Sequence, residues 1–376
     1  MNIAVNTRLL IKDKLEGIGW FTYESLKRIT TQHPEHHFYF IFDRPFHPDF
    51  IFSENITPIT LFPQARHPFL YYIWFEYSLP RLLKKLNPDL FVSPDGYMSL
   101  RTKTKTLDVL HDLNFEHYPE DLPWMTRWYY RHYFPRYARK ASRIATVSGY
   151  SKDDIVQQYK VDPAKIDVVY DGANESYTPL TEEEIRTFRQ EQTQGCSFFL
   201  FVGSLHPRKN LVNLFKAFDL FKRDTQSDVK LLIVGAKKWW TSEIRQAYES
   251  MEFRSDVIFS GRMGSTQLRY AMGASLALTY VSYFEGFGIP IVEAFRCHTP
   301  VITSNVTSMP EVAGDAALLA DPFSPQSIAG AMINVYSNRG IREDLISKGE
   351  KRKDEFTWQK TADLLWRSIE KAIRLN

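Results

Sequence analysis

Cysteine is nearly missing from this chain of 376 residues: Cys196 and Cys297 are all it has. Two distant thiols cannot build a disulfide framework and stand in no metal-ligand spacing. A stapled secreted scaffold and a cysteine-based metal module are thereby excluded, and a reducing cytoplasm is the expected compartment. Long apolar runs are missing too. No window reaches the roughly 20 apolar residues of a membrane-spanning helix, and the opening "MNIAVNTRLLIKDK" lacks the basic start and apolar stretch of a secretion signal. Nor is there an excess of one charge sign. The formal net charge is +3 with acids and bases interspersed, far from the basic surplus of a dedicated nucleic-acid binder, so no nucleic-acid partner is expected. What the chain does have is an apolar fraction of 44% and length for roughly two to three domains of about 150 residues.

Short runs rich in Val, Ile, Leu and Phe recur between longer amphipathic stretches. "NIAVN", "HHFYFIF", "ITPITLF", "DLFVSP", "TLDVLHD", "RIATVS" and "IDVVYDG" predict buried strands, and stretches such as "WFTYESLKRITTQ" and "KDDIVQQYK" between them predict helices. After the polar stretch "YTPLTEEEIRTFRQEQTQGC" the alternation restarts with "SFFLFVGS", "VKLLIVGA", "DVIFSGR", "ASLALTYVS", "TPVITSN" and "DAALLADP". Such alternation implies two doubly wound, Rossmann-like α/β domains around mostly parallel sheets. The expected division is an N-terminal domain over 1–177, a linker over 178–195 and a C-terminal domain over 196–357, with the amphipathic stretch 358–376 forming one helix that packs back on the N-terminal domain. Two such sheets facing each other would leave a cleft at the carboxyl ends of their strands, where ligands bind in this architecture. Chemical motifs should therefore follow strands.

Four motifs are candidates. In "GIGWFTYESL", Gly17 and Gly19 stand before a predicted helix, where free backbone N–H groups and the helix dipole suit a phosphate. A dinucleotide fingerprint is disfavoured because Thr22 replaces its third glycine and the motif follows a long loop; a flexible helix entry is the competing reading. In "FVGSLHPRKN" a buried strand ends at Gly203, and Arg208 and Lys209 precede a helix from about Leu211. A guanidinium fork beside a point charge fits a diphosphate. In "YFEGFGIPIVEA", Glu285 lies on a loop with Gly286, Phe287 and Gly288, while Pro290 suits the first turn of a helix that also holds Glu293. Buried carboxylates need donors, and the vicinal hydroxyls of a ribose or hexose supply them. In "TLDVLHDLNFEHYPE", His111 closes a strand, placed to donate to a substrate oxygen or to orient a reacting group. A histidine satisfied by its own loop is the alternative, and His111 with His117 has no standard metal-ligand spacing.

Taken in order, "GIGWFTYESL", "LDVLHDLNFEHYPE", "ATVSGYSKDDI", "GSLHPRKNL", "SYFEGFGIPIVEAF" and "SNVTSMPEVAGDAALLADP" resemble the blocks of the retaining glycosyltransferases of family four, glycosyl transferases group 1, which have the GT-B fold. The likeness covers nearly the whole chain, and the pair Glu285 and Glu293 is its most specific element. The resemblance implies a nucleoside-diphosphate-sugar donor, with Arg208 and Lys209 on the diphosphate, Gly19 assisting through its backbone, Glu293 on the ribose, Glu285 on the transferred sugar, and His111 beside the anomeric carbon or a sugar hydroxyl. It further implies that the loop of Arg262 and Met263 holds the base and that backbone groups around Ser308 and Met309 touch sugar or phosphate. Many relatives carry Gly-Arg where this chain has Gly203 and Ser204, so one phosphate contact is absent or falls to Arg208. No metal and no cofactor are implied: the leaving diphosphate takes the acceptor's proton in a front-face displacement, while the two cations and helix N-termini stabilise the departing charge.

The "HPRKN" block is most like that of mannosyltransferases, which makes GDP-mannose the first donor expected and UDP-linked sugars the next, with a glycan or lipid-linked acceptor in polysaccharide biosynthesis. A nucleotide-sugar 2-epimerase on the same fold and a catalytically silent partner subunit are the rivals. One stretch remains. Residues 122–143, "LPWMTRWYYRHYFPRYARKASR", carry Arg127, Arg131, Arg136, Arg139, Lys140 and Arg143 among aromatics and no acid. That pattern suits an anionic lipid surface at the inner face of the membrane or a lipid-diphosphate acceptor, against the competing reading that the aromatics pack on their own sheet.

Overall fold

A computed structural model describes residues 1–236 and 240–375. They fall into two compact units, Met1–Gly172 together with the segment from Trp358, and Ala173–Thr357. The first is built on seven parallel strands, β1 (Asn2–Asn6), β2 (His37–Phe42), β3 (Ile56–Thr60), β4 (Leu90–Ser93), β5 (Thr106–Val109), β6 (Arg143–Thr146) and β7 (Ile166–Val168), in the order β3-β2-β1-β4-β5-β6-β7. The second has six, β8 (Phe198–Val202), β9 (Lys230–Val234), β10 (Val257–Gly261), β11 (Ala277–Tyr280), β12 (Val301–Ser304) and β13 (Ala317–Ala320), in the order β10-β9-β8-β11-β12-β13. Each apolar run named from the sequence is one of these strands. They read as continuous apolar runs because helices cover both faces of a parallel sheet: every residue of β4, β8, β11 and β12 is buried.

Register ties distant segments together. Ile3 pairs with Phe38 on one side and Leu90 on the other, so β1 is central although it comes first. The order reverses there and again at β8, which lies between β9 and β11. Loops at the carboxyl ends of strands flanking such a reversal splay apart and leave room for a ligand.

The terminal helix Trp358–Arg374 belongs to the first unit, where it packs against the helix Gly17–Gln32 and the strands β4, β5 and β6. Its buried residues Ala362, Leu365, Ile369 and Ala372 recur at three- and four-residue spacing, which makes one apolar stripe. The stretch expected as a linker is different. Residues 182–193 form a helix, Glu182–Thr193, opened by a capping box of Thr181 and Glu184 and packed on the helix Ser265–Ala274 of the second unit. Its anchoring is sparse, chiefly the buried Phe188 and a hydrogen bond from Arg189 Nε to the carbonyl of Ala274 at 2.8 Å, so charge hides its periodicity. The division between units falls at Gly172 rather than 177, because Tyr177 buries its ring in the second unit.

Candidate donor-binding site

The cationic loop follows β8 at the reversal of the second sheet. His206 caps the turn Pro207–Lys209, its Nδ1 accepting the N–H of Arg208 at 3.3 Å. Burial, then the charges of Arg208 and Lys209, push the His206 imidazole down to about 4, so it stays neutral and keeps that lone pair. Asn210 ends the turn with φ 64°, and its amide donates to the carbonyls of Val281 (2.9 Å) and Pro322 (2.6 Å). The helix Leu211–Thr225 starts directly after it. Gly203 has φ +147°, and the Lys209 stem lies over it, with Cε 3.5 Å from where a Cβ would stand. A side chain there would strain the backbone, with the lysine stem at ordinary contact distance.

Glu285 enters from the loop after β11. Its Oε1 accepts from Lys209 Nζ at 2.5 Å and its Oε2 from Arg208 Nη1 at 2.6 Å. Lys209 also donates to the Tyr280 hydroxyl at 2.6 Å, and Arg208 to the carbonyl of Phe284 at 3.1 Å. Lys209 and Glu285 are 7% and 5% exposed, so water screens the pair little. Burial alone would raise the Glu285 carboxyl, but the two cations outweigh it and hold the group at about 2. The loop itself is pinned: the one Ser308 hydroxyl proton is shared between the carbonyls of Glu285 (2.9 Å) and Phe287 (3.0 Å), and Thr307 Oγ1 accepts the N–H of Glu285 at 3.4 Å. Gly286, Phe287 and Gly288 are buried in this loop.

Glu293 is held differently. Its helix runs Ile289–Arg296 with Pro290 as the second residue, so the carboxylate falls beyond the first turn, not within it as the proline suggested. A role confined to the helix dipole loses its basis, since that effect decays within one turn. Burial pushes the Glu293 carboxyl up to about 7, eased by a hydrogen bond with the Tyr177 hydroxyl. Two glutamates on one motif are thus tuned in opposite directions.

Other expected residues are distributed less uniformly. Ser308 and Met309 are fully buried after β12, and it is the Ser308 side chain that makes the contacts. Ser204 is exposed. Arg262 is exposed and Met263 half-buried on the open turn after β10.

In the first unit His111 follows β5, half-buried, with its Nε2 2.8 Å from the carbonyl of Pro94 and its ring edge-on to Phe21. A carbonyl only accepts, so Nε2 carries the proton. Burial lowers the imidazole's pKa, and the neutral ring presents Nδ1 as an acceptor. The expectation that His111 donates to a substrate oxygen is corrected accordingly. The turn beyond Pro94 is fixed by Asp95, which accepts from Arg8 Nε (2.6 Å) and Asn6 Nδ2 (2.8 Å). Gly17 and Gly19 are not ahead of the helix Gly17–Gln32 but in its first turn. At Gly19 a Cβ would meet Leu15 Cδ2 at 3.1 Å and the carbonyl of Leu9 at 3.3 Å, so close packing of the preceding loop accounts for that glycine.

The helix Trp124–Lys140 buries Tyr129, Phe134 and Tyr137 and leaves Trp124 and Trp128 70% and 57% exposed. Part of the basic character of residues 122–143 is spent internally. Arg131 pairs with Glu116 at 3.2 Å, Arg143 with Asp167 at 2.8 Å, and Lys140 donates to the carbonyl of Thr102 at 2.7 Å.

Tyr177, Tyr280 and Thr307 went unnamed in the sequence. Tyr280 ends an apolar strand and reads as core, while Tyr177 lies in the polar stretch between domains; only folding brings each to its glutamate cluster.

The two doubly wound sheets, of seven and six strands, agree with what known proteins show. The glycosyl transferases group 1 model matches residues 183–352, and the glycosyltransferase family 4 model matches residues 16–177. The chain belongs to this family of GT-B glycosyltransferases and is a glycosyltransferase enzyme. It is 27% identical to O-antigen chain mannosyltransferase B of Escherichia coli over 72% of this chain and 71% of that one. It is also 27% identical to O-antigen chain mannosyltransferase RfbU of Salmonella typhimurium over 75% and 74%. Anabaena Alr3699/HepE, solved in complex with UDP-glucose, shares the fold with a TM-score of 0.74, 16% identity, and coverage of 99% of this chain and all of that one. No helix among the described residues is long and apolar enough to cross a membrane.

Proposed function

We propose that this enzyme is a retaining hexosyltransferase that moves a sugar, mannose before others, from a GDP- or UDP-linked donor to a glycan or lipid-linked acceptor in polysaccharide biosynthesis. The observation that carries the reading is the anion already seated on Arg208 and Lys209, the Glu285 carboxylate, at the carboxyl ends of β8 and β11. A donor diphosphate would compete for the same cations, and its arrival would release Glu285 to accept from hydroxyls of the transferred sugar. Glu293 would accept from the ribose diol in place of Tyr177. In the chemical step the bond from the anomeric carbon to the diphosphate oxygen breaks while the bond to the acceptor oxygen forms on the same face. The acceptor's proton passes to the leaving phosphate. Charge grows on the diphosphate as it departs, and cations already in place stabilise it without reorganisation. No metal takes part in this reading. His111, through Nδ1, would accept from a sugar hydroxyl.

Mannose is favoured by the names of the two O-antigen mannosyltransferase relatives and by the "HPRKN" block, while the UDP-glucose complex of the Anabaena protein supports a nucleotide-sugar donor in general. Thermal shift with GDP and UDP tests the base, since a ligand at about 100 times its dissociation constant adds roughly 2.7 kcal/mol to stability. A shift with neither nucleotide supports the silent subunit and ends this reading. Product analysis with the preferred sugar nucleotide then separates transfer, which yields free nucleotide and a new glycoside, from 2-epimerisation, which yields an isomerised nucleotide sugar. Glu293→Ala is expected to weaken nucleotide binding in calorimetry; equal affinity contradicts the ribose assignment.

The exposed Trp124 and Trp128 beside Arg127 support a peripheral contact with anionic lipid through residues 122–143, at the cytoplasmic face where nucleotide sugars are made available.

A further inference from the structure

His33, Glu35 and His36 form a cluster that glycosyl transfer does not use. One ligand atom from each lies within 4.8 Å of the others. Glu35 Oε1 stands 3.6 Å from His33 Nδ1 and 3.2 Å from His36 Nε2. Around a tetrahedral zinc ion with bonds of about 2.0–2.1 Å, neighbouring ligand atoms are about 3.3–3.4 Å apart. Two edges of a coordination shell are therefore already close to their required length.

The residues are also held in place without any ion. Pro34 stiffens the turn, and His36 N–H donates to the carbonyl of His33 at 3.1 Å. The two N–H groups of the Asn55 amide are shared among the carbonyls of Thr30 (3.1 Å), His33 (3.1 Å) and His36 (2.9 Å), which clamps the turn from beneath. Both imidazoles stack on the Trp366 indole, with centroids 3.8 and 5.2 Å away, and lie within 8° of parallel to each other. His36 Nε2 faces Glu35, and a metal there would place the ring proton on Nδ1, which lies 3.2 Å from the Met1 amino nitrogen. A pair of exposed histidine–glutamate contacts would contribute little by itself and would not call for this much orientation. Support behind the ligands is what metal sites have in common.

We infer that His33 Nδ1, His36 Nε2 and a Glu35 carboxylate oxygen form a site for a divalent transition metal of the zinc class, with water completing the shell. The site lies just before β2, at the opposite end of the helix Gly17–Gln32 from Gly17 and Gly19. Its role is structural: the ion fixes the turn on which Trp366 of the terminal helix is stacked. This goes beyond the transfer reaction and is independent of it.

The test uses the full chain, free of any polyhistidine tag and stripped with chelator, titrated with Zn²⁺ by calorimetry and with Co²⁺ by visible absorption. One ion per chain and a tetrahedral Co²⁺ spectrum are expected. Glu35→Ala, at an exposed side chain that the fold does not need, and His36→Gln should each weaken binding at least about tenfold, as losses around metal sites do. Absence of saturable binding by the parent chain, or unchanged affinity in either variant, overturns the three-ligand site.

Discussion

Lys209 and Glu285 are 76 positions apart in the chain and 2.5 Å apart in space, a buried ion pair that joins the loop after β8 to the loop after β11. Neither charge is tolerable there alone. Removing one partner of a buried pair costs about 3–5 kcal/mol because the other is left uncompensated, and here Arg208 shares the load.

Lys209→Ala should therefore do two things. Stability in urea should fall, by less than that range where Arg208 takes over the carboxylate. Turnover should fall by about 10²-fold or more, as when one preorganised charge contact is lost. Turnover equal to the parent's would remove Lys209 from the mechanism.

The two glutamates predict opposite pH effects. Glu293 is held at about 7 against an ordinary 4.5, so its folded-state contribution is fully present below about 4.5 and is lost as pH rises through about 7. Glu285, held at about 2, contributes stability above 4.5 that is lost as pH falls through about 2. Glu293→Gln cannot ionise, and urea denaturation between about pH 5 and pH 8 should show less loss of stability with rising pH than in the parent. Parallel profiles for the two chains would contradict a buried, proton-holding Glu293.

His111→Ala should lower kcat by about tenfold, the worth of one lost hydrogen bond of about 1 kcal/mol, while nucleotide affinity stays as in the parent. Because the ring packs on Phe21 and holds the Pro94 carbonyl, its unfolding midpoint should be measured alongside. An unchanged kcat in a folded variant would make His111 a purely structural residue.

Membrane contact through the helix Trp124–Lys140 predicts co-sedimentation with anionic vesicles at low salt, weakened in the double variant Trp124→Ala, Trp128→Ala. Full recovery of the parent chain in the supernatant would end that assignment.

Much of this molecule is written locally. The thirteen strands could be placed from apolar runs because a parallel sheet buried on both faces demands unbroken Val, Ile, Leu and Phe. Arg208, Lys209 and Glu285 stand out because charges on the loops after such runs are placed where ligands bind, and Glu293 because it shares one motif with Glu285. The helix Glu182–Thr193 was mistaken for a linker since few of its residues are buried, and charge dominates its pattern. What the chain alone determined, then, was the sequence of strands and the chemical character of the loops that follow them. Which glutamate pairs with the cations and which with Tyr177, that His111 donates its Nε2–H to the Pro94 carbonyl, and that His33 and His36 lie flat on Trp366 were decided only by tertiary structure. Burial and the approach of charges distant in sequence set these ionisation states, and neither is encoded in any local window.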